Sequence, residues 1–176
     1  MLHAMLVRAT IANGTVASID TSAALQLPGV VDVLTADTLP RPMRAGGLPL
    51  LGTRVLYPHQ PVAAVCAESY AAATAAARAI RITYEAVPSV VTFEAATAAG
   101  AAIVRGQSNV LRGSPVVTER GDVARALADA EVIVTREYRT QGAVHSPLEP
   151  HATVAEWDGD RLTLWESTQG IFRVRD

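Results

Sequence analysis

The chain contains no lysine and a single cysteine, and no apolar run in it reaches the roughly 20 residues that a membrane-spanning helix needs. Each shortage removes a class of explanation. The lone Cys66 excludes an internal disulfide and any cysteine-ligated cluster held by this chain alone. All fifteen basic residues are arginine, scattered along the chain at a formal net charge of −2. That pattern offers no basic patch of the kind a nucleic-acid backbone requires, so nucleic acid is not an expected partner. The opening MLHAMLVRAT has no basic segment followed by a long apolar stretch and a cleavage site. No secretory signal is read there, and a cytoplasmic protein is expected, with periplasmic export carried by a partner as the competing possibility. What is present, 176 residues with 49% hydrophobic and 18% charged, suits a soluble globular protein of one or two domains.

Periodicity and punctuation predict β, β, α, β at the start: MLHAMLVRA (1–9), GTVASID (14–20), a short helix in TSAALQL (21–27) stopped by Pro28-Gly29, and VVDVLTA (30–36). Asp20, Thr21 and Ser22 read as caps for that helix. Residues 37–53, rich in proline, glycine and arginine, read as a loop. RVLY (54–57) follows, then the strand PVAAVCAE (61–68), the helix SYAAATAAARAI (69–80) with Ser69 as N-cap, and the strand RITYEA (81–86). Cys66, inside an apolar run, is expected in the core. The strand–helix–strand order predicts an α/β or α+β domain over residues 1–88. Residues 89–118 read as a linker with one helical turn in FEAATAAG. A second unit over residues 119–176 opens with a short helix in GDVARALADA and a strand in EVIVTREYRT.

The segment HSPLEPHATVAEWDGDRLTLWESTQG (145–170) carries the chemistry. Asp158-Gly159 between two alternating runs signals a hairpin, because a type I′ turn needs positive φ at both central residues. With the turn at Asp158-Gly159, Glu149 falls opposite Thr168 and Leu148 opposite Gln169. With the turn at Gly159-Asp160, Pro150 falls opposite Gln169. Both registers put the LEP segment beside the Thr168-Gln169 end, where Pro147 and Pro150 lack amide donors and regular pairing should fail. His145, Glu149 and His151 therefore have two readings. Imidazoles and a carboxylate are good ligands for zinc or iron, but H-x₃-E-x-H matches no familiar metal motif. The preferred reading is a shaped loop, held by hydrogen bonds, that walls in Gln169.

Three stretches carry a resemblance: MLHAMLVRATIANGTVASIDTSAALQLPGVVDVLTADTLP, HQPVAAVCAESYAAATAAARAIRITYEAVPSVV and REYRTQGAVHSPLEPHATVAEWDGDRLTLWESTQG. Together they cover most of residues 1–170, in order, and resemble the molybdenum-binding large subunit of the xanthine dehydrogenase and aldehyde oxidase family. The resemblance implies an N-terminally incomplete a/b hammerhead domain followed by the truncated beginning of a molybdopterin-binding domain. It implies molybdopterin as cofactor, and TIANGTV is similar to the bacterial aldehyde dehydrogenase branch that uses the cytosine dinucleotide form. Implied partners are an Fe-S subunit, an FAD subunit and the remainder of the molybdenum subunit.

Ser167, Thr168 and Gln169 match the family's STQ motif, whose glutamine lies near molybdenum. The resemblance thus makes Gln169 the cofactor-facing residue, with His145, Glu149, His151 and Thr168 shaping the pocket. The metal's ligands then come from the pterin and its own oxo and sulfido groups, so no direct protein ligand is expected. The family's glycine-rich segment, substrate-orienting arginine and C-terminal glutamate base have no counterpart before Asp176, so this chain alone is expected to be inactive. HQPVAA resembles a family strand that begins with glycine, and His59 in that place puts the local turn in doubt. Two rival readings stand beside this one: a non-catalytic hammerhead-like scaffold or interaction module, and a small His/Glu metallohydrolase.

Overall fold

In the computed structural model, which describes residues 1–40, 44–45, 48–104, 106–110 and 116–175, the chain divides into two units, Met1–Thr118 and Glu119–Asp176. Strands of the first unit are His3–Arg8 (β1), Gly14–Asp20 (β2), Val30–Thr35 (β3), Arg44–Ala45 (β4), Leu48–Pro49 (β5), Arg54–Val55 (β6), Pro61–Ala67 (β7) and Arg81–Ala86 (β8). Its helices are Ser22–Leu25 (α1), Tyr70–Ala79 (α2) and Phe93–Thr97 (α3). The stretch read as a loop thus holds the two-residue ladder β4–β5, and RVLY contributes only β6.

β7 lies between β1 and β3 in one antiparallel sheet, and β2 lies between β6 and β8 in another. The uncharged run PVAAVCA suits the central place, because a strand covered on both faces cannot carry a polar side. Val62, Ala63, Val65 and Ala67 are all fully buried, and burying each valine contributes about 1.5–3 kcal/mol. Cys66 departs from expectation: it is half-buried, alternating away from the face that holds Ala63 and Val65.

The strand–helix–strand run β7–α2–β8 does not build a parallel pair. Its strands belong to different sheets, and every ladder is antiparallel, which makes the fold α+β. α2 begins where the Ser69 hydroxyl accepts a 3.2 Å bond from the Ala72 amide. Its buried Ala73 and Ala76 are small enough to let the helix lie close to the sheet, and Ala76 joins Val7, Val33, Val65 and Ile80 in one apolar cluster. A second cluster gathers Ala9, Val16, Val55 and Val62. Ile19 and Ile82 pack against both, which ties the two sheets together.

Two tight points lock the sheets. A Cβ on Gly14 would lie 2.3 Å from the Glu85 carbonyl oxygen, so only glycine lets β2 and β8 approach here. Between β6 and β7, Tyr57-Pro58-His59-Gln60 makes a turn with Pro58 second and His59 third at φ 66°, closed by the Gln60 amide on the Tyr57 carbonyl. That is the type II pattern, which favours glycine at its third residue. The buried side chain of Gln60 then acts as extra strand for β6: its amide donates to the Arg54 carbonyl at 2.7 Å and its oxygen accepts from the Leu56 amide at 2.9 Å.

The second unit contains the helices Val123–Ala128 (α4) and Ile171–Arg175 (α5) and a hairpin of Thr153–Asp158 (β9) and Arg161–Glu166 (β10). Asp122 caps α4 by accepting from the Arg125 amide at 2.9 Å. The strand expected over residues 131–140 is not formed. Alternation makes a segment able to be a strand, but a ladder needs a partner, and among the described residues none pairs with it; Val132, Val134 and Tyr138 are exposed. No described residue of this unit is buried. Among the described residues no helix is long and apolar enough to cross a membrane.

Two outcomes follow from the first unit. His59→Gly relieves about 1–2 kcal/mol of left-handed strain against about 0.5–1 kcal/mol of added unfolded-chain entropy, a net gain of roughly 0.5–1 kcal/mol in urea unfolding. Asp20 accepts from the Ser22 hydroxyl at 2.6 Å and the Ser22 amide at 3.0 Å, which together hold its carboxyl below the ordinary 3.8. Its stabilisation is therefore present above pH 3.8 and lost as pH falls through the lower folded value. Carboxyl NMR titration should give a midpoint under 3.8 that moves back toward 3.8 in Ser22→Ala.

Candidate functional site

The hairpin turn sits at Gly159-Asp160, so that Asp158 faces Arg161 and the register is the second of the two that the sequence allows. Gly159 takes φ 57° and no positive φ occurs at Asp160, the pattern of a type II′ turn with glycine in its first central place. A turn at Asp158-Gly159 would force a residue with a Cβ into the left-handed region. The observed register also sets Trp157 against Leu162 and Trp165 against Val154, aromatic–aliphatic pairs that stabilise an antiparallel ribbon. Moving the turn by one residue shifts the pairing by two, so the faces are the same in either register and alternation alone could not choose.

The ladder ends at Thr153 and Glu166, whose side chains are hydrogen-bonded to each other across the strands. Beyond it Ser167 takes over. Its amide donates to the Ala152 carbonyl at 3.0 Å, its hydroxyl to the Pro150 carbonyl at 3.3 Å, and its carbonyl receives His151 Nδ1 at 3.0 Å. A carbonyl oxygen only accepts, so Nδ1 must carry the hydrogen and the neutral ring presents Nε2 as an acceptor. Pro150 has no amide to continue the ladder, and its carbonyl is used by a side chain instead. The Thr168 hydroxyl turns the chain by accepting from the Gly170 amide at 3.0 Å, just ahead of α5.

These bonds surround a hollow of about 180 Å³ lined by His145, Pro147, Glu149, His151, Ser167, Thr168 and Gln169. Every residue singled out in the sequence borders it. Leu148 of the LEP segment does not, being fully exposed. The sequence reading gave no separate role to Ser167, the residue with the most bonds to the 150–152 segment; its place before Thr168-Gln169 was the available signal. The side chains of His145, Glu149 and Gln169 make no hydrogen bond or ion pair to described residues, leaving an amide, a carboxylate and an imidazole open to the hollow.

Among the described residues no three His, Cys, Asp or Glu side chains converge as a metal centre requires. A metal at this edge would need its ligands from another source, while the Gln169 amide, the His151 acceptor and the Thr168 hydroxyl suit hydrogen bonds to a group that brings its own. The donor set fits a wall against one end of a metal cofactor, and the hollow is too small to enclose a pterin dinucleotide.

An antiparallel α+β unit followed by such a ribbon-end hollow defines the class: a hammerhead joined to part of a cofactor-binding domain. Residues 1–88 match the a/b hammerhead domain of aldehyde oxidase and xanthine dehydrogenase, and residues 105–176 match the molybdopterin cofactor-binding domain. The chain belongs to the aldehyde oxidase and xanthine dehydrogenase family. It is 31% identical over 175 residues to the aldehyde oxidoreductase molybdenum-binding subunit PaoC of Escherichia coli (strain K12), covering 96% of this chain and 22% of that one. It is 30% identical over 183 residues to xanthine dehydrogenase/oxidase of Rattus norvegicus, covering 99% of this chain and 13% of the relative. The crystal structure of quinoline 2-oxidoreductase from Pseudomonas putida 86 superposes with a TM-score of 0.66 at 26% identity, over 96% of this chain and 23% of that one. The chain thus spans less than a quarter of the length of each.

The pinned loop end makes its own prediction. Nitrogen NMR of the neutral His151 ring should show the Nδ1-protonated tautomer. His151→Ala should speed exchange of the Gly170 and Ser167 amides by about five- to tenfold, the equivalent of one hydrogen bond of about 1 kcal/mol.

Proposed function

We propose that this chain is part of the molybdenum-binding subunit of a molybdenum hydroxylase, with residues 1–88 as hammerhead, 89–118 as linker and 119–176 as the opening of the cofactor-binding domain. The observation that carries the reading is the hollow at the hairpin end, where an unpartnered Gln169 amide stands beside bonds that fix Thr168 and Ser167. Gln169 is the residue that faces the metal end of the molybdopterin, and His145, Glu149, His151 and Thr168 shape the space around it. When bound, that cofactor supplies two-electron oxidation of an aldehyde or N-heterocycle with oxygen derived from water.

The residues here orient and do not ligate. An amide at 169 donates a hydrogen bond without adding charge, so it fixes a polar edge of the cofactor while leaving its electronics to the pterin. His151 keeps the 167–169 backbone in place through the Ser167 carbonyl, and Thr168 spends its hydroxyl on the turn to Gly170. The names of the relatives, an aldehyde oxidoreductase, a xanthine dehydrogenase and a quinoline oxidoreductase, support aldehydes and N-heterocycles as the substrate classes. The resemblance of TIANGTV to the bacterial branch favours the cytosine dinucleotide form of the cofactor, with electrons leaving to Fe-S and FAD partner subunits. A metallohydrolase would need a three-ligand centre, and none is formed among the described residues.

The test uses a subunit in which these residues are joined to a complete molybdopterin-binding domain and co-expressed with Fe-S and FAD partners. It should retain molybdenum and pterin and oxidise benzaldehyde or quinoline. Gln169→Ala and Gln169→Glu should lower kcat/KM by about 10- to 100-fold at unchanged molybdenum content. A subunit free of molybdenum and pterin, or variants with full activity, would overturn the assignment.

A further inference from the structure

Away from this site, the first unit holds a groove of about 390 Å³ whose walls are four consecutive residues of β1, Met5 to Arg8, one face of α2 with Thr74 and Arg78, and alternate residues of β8, Ile82 and Tyr84. Side chains of a strand alternate between faces, so four residues in succession line one hollow only where it follows the strand's edge. β1 is an outer strand: among the described residues β7 is its one ladder partner, which leaves a row of N–H and C=O groups facing the groove.

Two further observations point to an occupant. The Thr74 hydroxyl and the Tyr84 phenol are buried without a hydrogen-bond partner among the described residues. A threonine within a helix ordinarily bonds the carbonyl four residues back; Thr74 does not, and rotation about its χ1 presents the hydroxyl to the groove. The guanidinium groups of Arg8 and Arg78, which also border the groove, make no ion pair or hydrogen bond to described residues. A small anion would answer the arginines but not the open strand edge.

We propose that this groove receives an extended acidic segment of a partner polypeptide, which adds as a strand to the free edge of β1 and sets a carboxylate against Arg8 or Arg78. Its polar groups reach the Thr74 and Tyr84 hydroxyls, and its apolar residues cover Val7, Ala77 and Ile82. Strand addition supplies the affinity through main-chain bonds, and the arginines supply the preference for acidic sequence.

The ¹⁵N-labelled 176-residue chain is titrated with acetyl-VEVDVT-amide, with its neutral counterpart acetyl-VQVNVT-amide, and with glutarate. The acidic peptide should shift the amides of Met5 to Arg8, α2 and β8 and slow exchange along β1, and the neutral peptide should bind at least about tenfold more weakly. Arg8→Gln and Arg78→Gln, both at exposed positions, should each weaken the acidic peptide several-fold while leaving the spectrum otherwise dispersed. Equal binding of the two peptides, shifts confined to other surfaces, or no binding at millimolar concentration would overturn the proposal. Glutarate binding as tightly as the peptide, without protection of β1 amides, would also overturn it in favour of a small-anion site.

Discussion

At Gly159 the backbone turns with φ 57°, and because a residue with a Cβ reaches that angle only at a cost, the turn lies at Gly159-Asp160 and the register of β9 and β10 follows from it. From that register comes the place where pairing stops, and from that place comes the hollow. Pro150 arrives opposite Gln169 unable to donate, so Ser167 turns its amide, hydroxyl and carbonyl to Ala152, Pro150 and His151. The amide of Gln169 is left as the unused polar group at the end of a ribbon whose other end groups are satisfied.

The first unit answers to a different constraint, the need to cover β7 on both faces. Alanines at 73 and 76 bring α2 close on one side, and the second sheet supplies Val16 and Val55 to the cluster that contains Val62. The helix-flanked order β7–α2–β8 therefore serves to move the chain from one sheet to the other. Gly14 and the turn at His59 are the two points at which backbone geometry sets how closely these layers meet.

Much of this was legible in the residues, for reasons that also explain what was not. β1, β2, β3, β7 and β8, the cap at Ser69 and the turn of helix after Thr92 were readable because each is written locally, as a period of two or as a capping side chain. Residues 131–140 alternate just as clearly, yet a strand is a relation between two segments, and sequence periodicity reports only one of them. The hairpin register resisted the same kind of reading: both turns keep Trp157 and Leu162 on one face, and the choice rests on which central residue must take positive φ. α5 was missed because IFRVR carries no cap signal or long periodic run. The neighbours of Gln169 were nameable in advance because both registers bring the same two proline-bearing residues near it, whereas the bonds of Ser167 depend on the one register that forms.

The pairing of β1 with β7 joins residues as far apart as His3 and Ala67. A ribosome adds about 5–20 residues per second, so β1 emerges several seconds before the strand that will hold it exists. During that interval MLHAMLVRA is an apolar segment with neither edge occupied, and the nascent protein depends on dilution or on chaperones to keep it from pairing with a neighbour.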